Sequence, residues 1–127
     1  MPTVTALYGS LNAIFNVVLA LRVARIRTAD KVSIGTEGSK AVLVAARTHG
    51  NNAEFVPLTL IMLLIVELCG GASLWLHVSG GLLLTARVAH AVGMPMRSPN
   101  VFRGLGIGLT WTLIVGLSAW ALWLRRG

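Results

Sequence analysis

Four long apolar blocks, at roughly residues 4–24, 41–68, 73–93 and 102–124, constrain this chain more than any other feature. A helix needs ~20 apolar residues to cross the ~30 Å of hydrocarbon in a bilayer, and each block is about that length. So little sequence remains between them that the expected fold is all-α, an integral membrane four-helix bundle in one domain over residues 1–127. Only 12% of the residues are charged, about half the share that keeps an ordinary soluble domain in water. The N-terminus, MPTVTALYGS, has no basic stretch and no small-residue cleavage site, so it reads as a first spanning helix rather than a removable leader.

A formal charge of +7 raises the question of nucleic acid, and the placement of the charges answers it. Arg22, Arg25, Arg27, Lys31 and Lys40 surround the first connection, Arg97 and Arg103 surround the third, and the second, CGGAS, carries no charge. Basic loops stay on the cytoplasmic side, which predicts both termini outside, with Arg125 and Arg126 at the C-terminus counting against it. Tyr8, Trp75, Trp120 and Trp123 fall at the opposite ends of the helices, where aromatic belts sit. No nucleic-acid partner is expected. The single cysteine, Cys69, excludes an intrachain disulfide and reads as a buried residue at a helix end. His49 and Glu54 are five apart, the wrong spacing for a zinc pair on one helix face, and no metal is expected. His77, near the outer end, reads as an interface residue.

In lipid, helices approach one another through small residues. Gly104, Gly108, Thr112 and Gly116 on the fourth segment, and Gly81, Thr85, Ala89 and Gly93 on the third, form stripes four apart that suit such contacts. GLGIG belongs to this pattern, since no strand precedes it as a nucleotide loop would require. Asn12 and Asn16 share a face of the first segment and are expected to bond across helices, while Trp111, at neither end, is expected to pack. Pro57 removes one backbone donor and frees the carbonyl of Ala53. Membrane helices tolerate this, and it would also suit a kink that opens a cavity beside Glu54.

The second segment enters the bilayer through RTHGNNAEF, where Arg47, Asn51 and Glu54 stand at i, i+4 and i+7 on one helix face. At ~1.5 Å per residue, counting from Leu68 puts Arg47 near the inner boundary and Glu54 about 10 Å inside the hydrocarbon. The same count from Trp75 brings Arg87 and His90 to about 18 and 22 Å inward, and Arg103 falls at the inner boundary too. A charge near the membrane centre costs at least ~2.5 kcal/mol, so these groups must face protein or a wet cavity. Ion pairs of Glu54 with Arg87 or Arg47 would tie helices together. Three arginines facing one acid leave surplus positive charge, which favours a site for an anion.

RTHGNNAEFVP resembles the Arg-x-x-x-Asn-x-x-Glu pattern, with an aromatic and a proline after it, of the membrane-associated proteins in eicosanoid and glutathione metabolism, the family of microsomal glutathione transferases and leukotriene C4 synthase. ARVAHAVG resembles the family's third-helix stretch, and the basic first loop and overall length are similar to its small bacterial branch. The resemblance implies a homotrimer in the bacterial inner membrane, with glutathione as co-substrate bound between subunits on the cytoplasmic side. It implies Arg47, Asn51 and Glu54 as glutathione contacts, joined by Arg87 and His90 and by Arg27 from the adjacent subunit. The thiol-activating cation implied near the start of the fourth helix is Arg103, with Arg97 close by. His90 and Phe55 stand where eicosanoid members have tyrosine.

The activity this implies is glutathione transfer to hydrophobic electrophiles, or reduction of lipid hydroperoxides, with the second substrate arriving from the bilayer. Two other readings remain open on sequence: a non-catalytic lipid-binding relative, and a small proton-coupled exporter, which would gain little from arginines beside its acid.

Overall fold

A computed structural model describes residues 1–125; Arg126 lies outside the described residues. The chain forms four α-helices, α1 (Thr3–Asp30), α2 (Lys40–Leu68), α3 (Ser73–Gly93) and α4 (Val101–Leu124), running alternately up and down. α1, α2 and α4 are long and apolar enough to cross a membrane. α3 falls short of that measure because His77, Arg87, His90 and several small polar residues dilute its hydropathy. The protein is an all-α membrane bundle. α1 continues through Arg25 and Arg27 to Asp30, six residues past the apolar block, because a helix does not stop where hydrocarbon does.

Local chemistry sets the helix ends. The Ser39 hydroxyl accepts from the Val42 N–H at 3.0 Å and the Asn100 side chain from the Arg103 N–H at 2.9 Å, two helix N-caps. α1 has no cap of its own. Glu67, near the far end of α2, supplies one: its carboxylate accepts from the Val4 and Thr5 N–H groups at 2.8 and 2.7 Å. Charge-assisted bonds to a helix N-terminus are among the stronger ones available. Sequence patterning gave no hint of this role.

α3 packs most closely on α4 and α1 on α2, α2 also touches α4, and α3 touches all three others; among the described residues α1 and α4 stay apart. Of the stripes expected from spacing, Gly93 does make a close approach, a Cβ there lying 2.5 Å from the Arg103 backbone nitrogen of α4, while the other tight glycines lie off the stripes. A Cβ at Gly106 would lie 2.6 Å from both the Ala86 carbonyl oxygen and the His90 Cβ, and one at Gly80 would collide with the Tyr8 ring. Gly104, Gly108 and Gly116 face open space. α4 is rotated relative to its expected ridge, and α3 meets it through Ala86, His90 and Gly93 rather than through Gly81, Thr85 and Ala89. On segments that are apolar all round, composition does not choose the facing side.

The two ends differ in their cores. At the tryptophan end, Val4, Leu63, Val66, Leu76, Leu117 and Ala121 form an apolar cluster with Tyr8 and Trp120 packed against it. The His77 ring stands edge-on to Tyr8, with Nδ1 3.4 Å from the phenol oxygen. Cys69 caps α2 and is exposed rather than buried, since the helix end projects beyond that cluster. At the arginine end a polar group, Thr48, Asn52, Arg87, His90 and Thr110, is buried alongside small and apolar side chains such as Val42, Ala45, Ala86 and Ala91.

Candidate functional site

Arg87 is the hub of the polar half, and only 1% of its surface is exposed. Its Nε donates to Asn52 Oδ1 at 3.0 Å, and Nη2 donates to Asn51 Oδ1 at 2.8 Å. Nη2 also lies 3.2 Å from His90 Nδ1, and Nη1 reaches Thr110 Oγ1 at 3.5 Å. Asn52 continues the chain, donating through Nδ2 to Asn16 Oδ1 on α1 at 3.0 Å. One guanidinium thus draws side chains from α2, α3 and α4 together, and through Asn52 it reaches α1. Among the described residues none of its direct partners is a carboxylate. A buried ion without a counter-ion is tolerable only when its donors are satisfied, and this network supplies acceptors while leaving a net positive charge inside the bundle.

Two links of this network were not foreseen from sequence. Asn52 adjoins Asn51, yet successive helix positions point about 100° apart, so one asparagine faces the core and the other its edge. Thr110 sits four residues after Gly106, whose carbonyl its hydroxyl also bonds at 2.7 Å. A polar residue inside an apolar helix was the available signal in both cases. Asn16 does bond across helices as expected, whereas Asn12 turns back to the Tyr8 carbonyl of its own helix at 2.8 Å.

Arg47 and Glu54 lie on the exposed side of α2, with Asn51 half-buried between them. Among the described residues Glu54 pairs with neither Arg47 nor Arg87, so no ion pair of the expected kind ties these helices. Because Arg87 holds the Asn51 oxygen, the Asn51 amide N–H groups are what remain to be offered to a ligand. Below Asn51 on α2, the Phe55 ring packs on Trp111 of α4, centroids 6.3 Å apart. Arg103 is exposed in the first turn of α4, while Arg97 is exposed in the preceding loop. Arg27 is half-buried and donates to the Gly35 carbonyl of its own loop at 2.7 Å. A cavity of about 250 Å³ does open at Pro57, but towards Asn12 and Asn16 of α1, and Glu54 does not line it.

The single chain therefore gathers Arg87, His90, Asn51 and Asn52, and leaves Arg47, Glu54 and Arg103 on open surfaces. Arg47 and Arg103, near the inner boundary, can extend to water, whereas a bare Glu54 carboxylate within the hydrocarbon would cost about 2.5 kcal/mol or more unless it faces protein or a wet cavity.

Comparison with known proteins agrees with this architecture. The family model described as MAPEG family matches residues 5–123. Two Escherichia coli proteins, each named inner membrane protein YecN, from strain K12 and from strain O6:H1, are each 30% identical over 120 residues, covering 94% of this chain and 91% of theirs. A match to the family model over nearly the whole chain, together with these full-length relatives, makes the protein a member of the MAPEG family.

Proposed function

We propose that the protein is an inner-membrane glutathione-dependent enzyme that uses the thiolate of glutathione against hydrophobic electrophiles or lipid hydroperoxides, and that its ligand lies on the Arg47–Asn51–Glu54 face between subunits of a homotrimer. The observation that carries this reading is the buried Arg87 network, which orients Asn51 as a donor beside a face whose charges have no partner among the described residues. Glutathione has two carboxylates, an ammonium, peptide carbonyls and a thiol. Arg47 suits a carboxylate through forked bonds, and Arg27 of an adjacent subunit suits the other. Glu54 suits the ammonium, and the Asn51 amide suits a peptide carbonyl. Arg87 and His90, both buried, act on the ligand through Asn51.

A thiol with pKa ~8.5 is only a few per cent ionised at neutral pH. Lowering that value by two units takes about 2.7 kcal/mol of preferential thiolate stabilisation, which the Arg103 guanidinium would supply at the mouth of the site. In the transfer reaction the thiolate sulfur forms a bond to the electrophilic carbon, and the electron pair leaves with the displaced group or is protonated from water. No protein nucleophile is needed. The basic first and third connections support a site on the cytoplasmic side with both termini outside.

Glutathione titration of detergent-purified protein, followed by absorbance in the thiolate band, tests the proposal. The wild type is expected to bind and to show the band. Arg103→Ala should bind but lose the band, and Glu54→Ala should bind at least about tenfold more weakly, as the loss of a charge-assisted contact implies. Binding without a thiolate signal in the wild type would leave a non-catalytic relative. Absence of binding would overturn the reading.

A further inference from the structure

The arginine end holds a second basic cleft that shares no residue with the face described above. Arg22 and Ile26 of α1, Lys40, Ala41 and Val44 of α2 and Pro95 of the α3–α4 connection enclose about 290 Å³. Arg22 is half-buried and Lys40 exposed. Among the described residues neither side chain has a hydrogen-bonded partner or a carboxylate to neutralise it. The acids nearest in sequence are placed otherwise: Asp30 accepts from the Ser39 hydroxyl, and Glu37 is exposed in the loop. The rest of the lining is apolar. Four-residue steps along α1 from Arg22 into the bilayer reach Val18 and Ile14 on the same face, 54% and 63% exposed.

Cations at a helix end commonly do no more than extend into water over apolar stems. Here two of them, from different helices, converge on one concavity roofed by a loop proline, directly above an uncovered apolar track. The volume sits at the lower limit of small-ligand sites, ~300 Å³, enough for a head group and too small for a whole lipid. We propose that this cleft binds the phosphate-bearing head group of an anionic phospholipid, with Arg22 and Lys40 on the phosphate and an acyl chain along Val18 and Ile14. Basic recesses between membrane helices suit anionic head groups on electrostatic grounds, and the site is independent of any glutathione chemistry.

The test counts lipid retained by purified protein in native mass spectra, with phosphatidylglycerol or phosphatidylcholine supplied in the detergent. The wild type is expected to retain phosphatidylglycerol selectively. Arg22→Gln/Lys40→Gln should lose about thirtyfold in retention, roughly fivefold for each cation. Arg25→Gln/Lys31→Gln removes the same charge from exposed positions outside the cleft and should change retention by less than about threefold. Equal loss in both double variants would show diffuse attraction and overturn the proposal, as would equal retention of phosphatidylcholine. Displacement of phosphatidylglycerol by millimolar inorganic phosphate would make this a free-anion site. A changed oligomeric state in Arg22→Gln/Lys40→Gln would make a second copy the occupant. Either result would sink the lipid assignment.

Discussion

The tryptophan half and the arginine half of this bundle are built from the same helices and held together differently. In the first, Leu63, Val66, Leu76 and Leu117 meet as they would in a soluble core. In the second, Arg87 ties Asn51, Asn52, His90 and Thr110 into one network. Inside a bilayer an apolar contact has little advantage over lipid, which solvates leucine equally well, so packing and directional bonds carry helix association. The polar half is thus the one that fixes how the helices are rotated. It is also the half in which uncompensated positive charge and an open polar face coincide.

Arg87→Met attacks that difference most directly. It removes the hub and leaves Asn51, Asn52, Thr110 and His90 without their common donor. With ~1–3 kcal/mol for each buried group left unsatisfied, partly offset by relief of the buried charge, the expected loss is about 2–4 kcal/mol. Denaturant unfolding in detergent, followed by far-ultraviolet circular dichroism, measures it. A buried ion is sometimes replaced by an apolar side chain with a gain in stability. Such a gain here would mean that the polar half is kept for its ligand alone and that the contrast between the halves is functional rather than structural.

The two halves were also unequally legible in the sequence. The four helices follow from block length, and the common face of Arg47, Asn51 and Glu54 follows from their spacing. The direction of that face does not. On a helix that is apolar all round, periodicity leaves the rotation about its axis undetermined, so Gly104 and Gly108 were assigned to a contact that Gly106 makes instead. The same freedom hid Asn52, whose neighbour carries the recognisable motif. Glu67 was hidden for another reason: its partners are backbone N–H groups more than sixty residues away, and such a bond has no side-chain pattern to betray it.

Glu67→Ala tests a strong polar device of the tryptophan half. It strips α1 of its only N-cap, and loss of a cap costs about 0.5–2 kcal/mol. The effect should be local. Hydrogen exchange of the first α1 amides is expected to rise while the amides around Arg87 keep their protection. Faster exchange at both ends would mean that the halves unfold as one unit and that the division between them is only compositional.

Asn16→Ala has the smallest expected effect and gives the finest resolution. The bond from Asn52 Nδ2 to Asn16 Oδ1 spans 3.0 Å between α1 and α2, and interhelical bonds of this kind average about 0.6 kcal/mol in membrane proteins. Asn52 receives Arg87 on its other face, so the two bonds share an amide whose orientation satisfies both. In an Arg87→Met background that amide is free to turn, and removal of Asn16 should then cost less. A double-mutant cycle should give a coupling energy of about 0.5 kcal/mol or more, the range of residues within one network. Additive effects would reduce the chain from α1 to α3 to two separate pairs, and the polar half would then be a set of local bonds around an arginine.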